Sequence, residues 1–507
     1  MKLNRTRNTI NGIVSGIINK CVTLLLPFIV RSLLIYRIGA DYAGLNGLFT
    51  SILQVLNIAE LGFSTAVVYS MYKPIADGDD ATICALLRFY RGVYRCVGVF
   101  ILTAGLCVMP FLPYLIEGAY PADINLYLLY FIFLLNTAIG YLLYAYKASL
   151  FNAYQRVDII NTISTLTQGL LSGLQIIIIF LTGSYYLYVV MIPLATVANN
   201  LLLSHEVNKM FPQYKCYGQL SQKLKASLKK QMTGLIIQRA CGATRSGFDN
   251  IFISAFLGLT VIAIYTNYYL IISSVTSIMM IITTSMTAGI GNSMIQESKE
   301  SNYRNMRRFN FMYMWIAGWF TATLFSLYQP FMKLWMGQDL MFDLGAVSLF
   351  CLYFYALKMG DINSTYYSSA GLWWFGKYRA VAESALNLIL NFVLIQLWGV
   401  YGVIAGTLIS LFLVNFLYGG RILYEHYFSP TQIPQYYREH FFYALAMIAN
   451  CAITYFICLH IAGSGILHFL ALGCVCTIVP NLFFALVYCK YSLFHESVVW
   501  IKEHCQR

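Results

Sequence analysis

Lys20, Pro27 and Arg31 stand at i, i+7 and i+11 within an otherwise apolar and small-residue run, 9–36. At 100° per residue they fall within roughly 40° of one another on a helix. A charge in the middle of a membrane span costs about 2.5–3.5 kcal/mol on insertion scales, so this face must look into protein or water. An ammonium and a guanidinium on one face bind phosphate or carboxylate. Pro27 removes a backbone hydrogen bond between them and marks a hinge. The competing reading is snorkelling combined with neutralisation by Glu60, the lone acid of the next apolar run, in LNIAELGF. Left unpaired there, Glu60 would titrate high and exchange a proton or a sodium ion.

Other apolar runs carry similar charges. Arg239, Arg245 and Asp249 share the seventh, where Arg245 and Asp249, at i and i+4, either pair with each other or line a cavity. Asp249 is, with Glu60, a candidate for ion coupling. Arg88, Arg91 and Arg95 share a face of the third run. The first two lie at its end, where lipid head groups account for them, and Arg95 is the deepest. The tenth run, KMGDINSTYYSSAGLWW, pairs Lys358 with Asp361 at i, i+3 and is too polar to face lipid. Its Asn363, Tyr366 and Tyr367 suit sugar hydroxyls and sugar faces. Helix packing through Ser, Thr and Gly explains the same residues as a bland alternative. These charged and polar residues form the candidate binding set: Lys20, Arg31, Arg95, Arg239 and Arg245 as cations, with Asn363, Tyr366 and Tyr367 beside them.

The elements that must hold these residues follow from composition. Of 507 residues, 59% are hydrophobic and 10% charged, against about 25% charged in a soluble domain. The surplus apolar surface must face lipid, where only helices and closed barrels satisfy the backbone. The runs are too long and continuous for barrel strands, which alternate over about ten residues. Runs of some 20 residues predict helices at 9–36, 43–72, 86–113, 124–146, 157–181, 185–205, 231–257, 261–290, 309–334, 344–370, 378–397, 400–424, 441–461 and 467–489. The expected fold is therefore an all-α polytopic membrane protein of about fourteen transmembrane helices. The first run holds two charges and no small-residue cleavage site, so it is expected to stay as a span.

With the N-terminus in the cytoplasm, inside loops collect 23 Lys and Arg, and outside loops only Arg37 and Lys333. That asymmetry orients the chain with both termini inside. It also accounts for the net charge of +13 without nucleic acid. The 13 Cys form no CxxC, the 7 His no HExxH, and no GxxxxGK[ST] loop is present, so no metal site, no other cofactor and no catalytic constellation is expected. A basic connector, 206–230, separates six helices in 1–205 from six in 231–425, and two more lie in 426–507. The halves look related: aligning Gly39 with Gly258 sets Lys20 opposite Arg239 and Gly44 opposite Ala263. Parallel repeats of this kind enclose substrate sites in transporters.

The stretch RIGADYAGLNGLFTSILQVLNIAELGFSTAVVYSMYKPIAD, 37–77, resembles bacterial Wzx-like flippases of the multidrug/oligosaccharidyl-lipid/polysaccharide superfamily, and FDNIFISAFLGLTVIAIYTNYYL resembles the start of their second half. The resemblance implies two six-helix bundles around a cavity open alternately to each side, two added C-terminal helices, and a polyprenyl-diphosphate-linked oligosaccharide flipped outward across the cytoplasmic membrane. It implies a cationic cavity, carried here by Lys20, Arg31 and Arg239. Coupling to sodium or protons, contact with membrane lipids, and work beside glycosyltransferases and a polymerase follow from the same resemblance. The rival readings are a drug or cation antiporter, whose cavity should carry acids; a membrane polymerase or ligase, which needs catalytic residues near a membrane face; and a non-transporting scaffold, which leaves the buried charges unexplained.

Overall fold

A computed structural model describes residues 5–57, 63–222, 224–226, 228, 247–372 and 375–505. Every regular element among them is helical. Ten helices are long and apolar enough to cross a membrane, and eleven if the bent pair Leu126–Leu142 and Ala145–Ala153 is one span. The protein is an all-α polytopic membrane protein. Of the remaining expected spans, the second is described as Ala40–Leu56 and Phe63–Asp77, the seventh as Gly247–Leu257, and the ninth as the 38-residue helix Lys299–Met336. Glu60, Arg239 and Arg245 lie outside the described residues, as does any pairing of Glu60 with Lys20 or of Arg245 with Asp249.

The chain divides into two compact units, Met1–Ala263 and Ile264–Arg507. In the first, α1 (Arg5–Arg37), α2 (Ala40–Leu56), α3 (Phe63–Asp77), α4 (Asp80–Val108), α5 (Leu126–Leu142), α6 (Ala148–Ala153), α7 (Val157–Thr182), α8 (Tyr185–Met210) and α9 (Gly247–Leu257) follow one another. α1 packs along α7 through a polar seam. Asn19 Nδ2 donates to Thr165 Oγ1 at 3.0 Å and to the Asn161 carbonyl at 3.3 Å, and Asn161 Nδ2 donates to Ser15 Oγ at 3.3 Å. In lipid, where apolar surface drives little helix association, such contacts and small residues set the approach. α4 and α5 use small residues: a Cβ on Gly105 would stand 2.3 Å from Leu134 Cδ1. Gly39 and Gly258, the glycines aligned between the halves, both hold positive φ, 138° and 86°, and each immediately precedes a helix. Glycine adopts such a turn without the Cβ penalty.

α10 (Leu259–Gln296) leads into the second unit, with α11 (Lys299–Met336), α12 (Leu344–Met359), α13 (Asp361–Ser369), α14 (Lys377–Trp398), α15 (Val400–Ser410), α16 (Gly419–His426), α17 (Ile433–Leu459), α18 (Gly465–Tyr488) and α19 (Ser492–Cys505). The tenth span is not one smooth helix. It breaks at Gly360 into α12 and α13, which places Lys358 and Asp361 on either side of the break. The twelfth span widens to a π-helical segment, Leu411–Tyr418, between α15 and α16. α11 is the central strut. Trp315 Nε1 donates to Asn481 Oδ1 at 2.8 Å and Trp319 Nε1 to the Cys476 carbonyl at 2.9 Å, both on α18. Arg307 pairs with Glu439 of α17 at 2.5 Å. α19 was not expected from hydropathy. Its Phe494 stacks on Trp315 with centroids 5.7 Å apart, and its Trp500 meets Phe309 edge-on at 5.5 Å.

Candidate functional site

In the first unit, Arg31 is the cation that the fold draws inward. It is half-buried on α1, and its Nη2 donates to the Ala263 carbonyl at 3.3 Å. Its charge is felt by the buried hydroxyls of Tyr188 and Tyr185 on α8. Those tyrosines form a connected cluster. Their rings stack at 5.8 Å, Tyr185 Oη donates to the Tyr42 carbonyl at 3.0 Å, and Asn46 Nδ2 donates to Tyr188 Oη at 3.3 Å. Lys20, three turns away on the same helix, is half-buried, as is Pro27 between them. Arg95 is exposed on α4, as is its neighbour Cys96, so it does not join Arg31 in an enclosed site. Asp249 is buried, 3% exposed, on α9.

In the second unit the polar centre lies at the break between α12 and α13. Lys358, 3% exposed, sends its Nζ to Asp361 Oδ2 at 2.7 Å, as the i, i+3 spacing predicts. Tyr313 Oη of α11 donates to the same oxygen at 2.5 Å. Two donors on one carboxylate oxygen offset the desolvation of both ions. The pair opens onto a groove of about 280 Å³ lined by Thr276, Met280, Thr283, Thr284 and Thr287 of α10 and by Ser364, Thr365 and Ser368 of α13.

Five of the groove's hydroxyls share one chemical state. Thr283 and Thr284 donate to the Met280 carbonyl at 3.1 and 2.8 Å, and Thr287 donates to that of Thr283 at 2.9 Å. Thr365 donates to the Asp361 carbonyl at 2.9 Å and Ser368 to that of Ser364 at 2.6 Å. With their protons spent on the backbone, these oxygens keep lone pairs for donors arriving in the groove. Thr276 Oγ1 is buried with no hydrogen-bond partner, which leaves its hydroxyl unsatisfied. The groove is thus a row of acceptors beside a neutralised ion pair.

The tenth-span residues named from the sequence sit on the other side of the helix. Asn363, Tyr366 and Tyr367 are 4%, 0% and 7% exposed, and Asn363 and Tyr367 line a separate, small pocket with Arg379 and Asn415. Asn363 Nδ2 donates to the Gly420 carbonyl at 3.2 Å, Tyr366 packs on Phe428 at 6.0 Å, and Tyr367 closes against Gly376, where a Cβ would stand 2.1 Å from its hydroxyl. The physical reason is angular. Residues 363, 366 and 367 share one face of α13, and 361, 364, 365 and 368 the opposite one. Both faces are polar, so composition alone does not distinguish them. The signal missed was on α10, where Thr276, Thr283 and Thr287 repeat the i, i+7, i+11 spacing of Lys20, Pro27 and Arg31.

No family model and no curated protein sequence matches the chain. Solved structures do. The lipid II flippase MurJ, in an inward closed conformation, aligns over 95% of this chain and 99% of its own, at 15% identity and TM-score 0.68. A multidrug resistance MATE family transporter of the MOP superfamily, inward-facing, aligns over 84% of this chain and 99% of its own, at 12% identity and TM-score 0.65. The chain shares the fold of these two transporters. The eukaryotic MATE transporter AtDTX14 aligns over 86% of this chain and 99% of its own, at 12% identity and TM-score 0.59. At these identities the likeness is one of fold.

Proposed function

We propose that this chain is a Wzx-like flippase, carrying a polyprenyl-diphosphate-linked oligosaccharide from the inner to the outer leaflet of the cytoplasmic membrane. The observation that carries the reading is the acceptor-lined groove between α10 and α13. Sugar hydroxyls are donors, and a row of carbonyl-bound Thr and Ser oxygens replaces the water they lose on leaving solution. Arg31 and Lys20 supply positive charge for the diphosphate. The polyprenyl tail has no need of a polar path and stays in lipid.

The fold comparison supports a flippase over a drug antiporter by coverage. The MATE transporter leaves about 80 residues of this chain unmatched, the length of segment 426–507, whereas MurJ leaves about 25. Under this reading both termini are cytoplasmic, glycosyltransferases supply the substrate inside and a polymerase consumes it outside. Energy coupling falls to a carboxylate within a span, Asp249 or Glu60, exchanging a proton or sodium ion.

The test is a deletion strain in which lipid-linked oligosaccharide is quantified on each membrane face. The expected result is accumulation on the cytoplasmic face, reversed by the intact gene. Accumulation on the outer face would mean flipping proceeds without this protein and would overturn the proposal, as would no accumulation at all.

A further inference from the structure

A second cavity, of about 510 Å³, runs between α10 and α11 in the second unit and is roofed at one end by α19. Its long wall is apolar, formed by Ile282, Met286 and Ile290 of α10 with Met312 and Ile316 of α11. A Cβ added at Gly289, midway along that wall, would meet nothing within 4 Å, so the groove is open at its centre. The mouth is ionic and holds Arg308 and Glu297.

Arg308 is held in place with donors unspent. Its Nη2 donates to Asn305 Oδ1 at 2.8 Å, and its guanidinium lies 5.1 Å from the Trp500 ring and 5.5 Å from that of Phe309. Its Nε is buried without a hydrogen-bond partner. Glu297 Oε2 accepts from Ser301 Oγ at 2.7 Å and from Asn305 Nδ2 at 3.2 Å. Asn305 therefore links one cation and one anion across a single mouth. The turn joining α10 and α11 carries Lys299, Arg304, Arg307 and Arg308 close by, which orients it to the cytoplasm. The ionic end then lies at head-group depth and the apolar wall at acyl-chain depth.

We propose that this groove binds one phospholipid with a zwitterionic, primary-amine head group. Its phosphodiester sits on Arg308, its ammonium on Glu297, and one acyl chain lies along the α10–α11 wall. A purely anionic head would set its charge against Glu297, and a quaternary amine has no N–H to donate to that carboxylate. Tyr313 connects this site to the polar groove. Its ring lines the lipid cavity and its hydroxyl holds Asp361.

Native mass spectrometry of the full chain, with phosphatidylethanolamine and phosphatidylglycerol of the same acyl chains added in turn, tests the assignment. The expected result is retention of one phosphatidylethanolamine per chain, favoured over phosphatidylglycerol about tenfold, the worth of one charge-assisted hydrogen bond. Gly289→Phe fills the groove and abolishes that retention. Glu297→Lys, a change at the rim that leaves the core intact, inverts the preference toward phosphatidylglycerol. Equal retention of both lipids by the unaltered chain, an unchanged preference in Glu297→Lys, or full retention by a monodisperse Gly289→Phe would each overturn it. None of these readouts depends on transport, so the outcome is separable from the flippase reading.

Discussion

At Asp361 one carboxylate oxygen receives both the Lys358 ammonium and the Tyr313 hydroxyl, and this convergence gives a lysine of 3% exposure its partner. Removing one member of such a pair strands the other. Asp361→Asn is expected to cost about 3–5 kcal/mol, whereas the double change Lys358→Met with Asp361→Leu costs far less. A double-mutant cycle read by unfolding in detergent checks this, and additive losses would show the two are uncoupled. Arg31 is held differently, by the backbone carbonyl of Ala263. Arg31→Ala and Lys20→Ala are each expected to abolish export while the protein still reaches the membrane. Normal export by both at native expression would remove the cationic face from the mechanism. The spacing of Lys20, Pro27 and Arg31 was legible in the sequence because helical periodicity is local. The partners of Arg31 were not, since Ala263 is 232 residues away.

Among the elements, close backbone approach decides what tolerates change. A Cβ on Gly44 of α2 would stand 2.2 Å from the Leu259 carbonyl oxygen, a contact no flexible side chain can relieve. Gly44→Val is therefore expected to lose about 1–3 kcal/mol or more through overpacking, visible as reduced yield of monodisperse protein and a lower melting temperature. A melting temperature equal to that of the unaltered chain would show that α2 and the start of α10 separate freely. The entry to α12 makes a different prediction. Asp343 accepts from the Gly345 and Ala346 amides at 3.2 and 3.4 Å and from the Tyr401 hydroxyl. That hydroxyl above all holds the Asp343 carboxyl below the usual carboxylate range. A depressed carboxylate stabilises the fold above its unfolded pKa, near 4, and that contribution disappears as pH falls through the lowered folded value. Tyr401→Phe should thus shift the acid-induced loss of stability to higher pH, measured by thermal melts between about pH 3 and 6. Melts that superimpose would assign the acid sensitivity to other groups. The break at Gly360 and the π-helical segment in the twelfth span have no hydropathy signature. Both lie inside runs that remain apolar or mixed across the irregularity.

For the molecule as a whole, the charge asymmetry predicts sidedness that can be tested directly. In a chain with its native cysteines replaced, Ala119→Cys should react with an impermeant thiol reagent in intact cells, and Glu503→Cys only after the membrane is opened. Labelling of both from outside would break the fourteen-helix topology, and labelling of Glu503→Cys alone would invert it. The sequence by itself determined the class of fold, most span positions to within several residues, the Lys358–Asp361 pair and the charged face of α1. All of these rest on costs paid residue by residue or turn by turn: apolar transfer into lipid, helical periodicity, and the bias of basic loops. The tertiary structure alone decided which neighbours each side of a polar helix meets. On α13 both faces carry hydroxyls and amides, and only the packing of α10, α16 and the Phe428 ring shows that residues 361, 364, 365 and 368 face the α10 groove while 363 and 367 face a small pocket beside Gly420 and 366 packs on Phe428. It alone also placed α19, too short and too polar to register as a span, over the mouth where Arg308 and Trp500 meet. Burial against a neighbour is a property of two segments, and neither one encodes it alone.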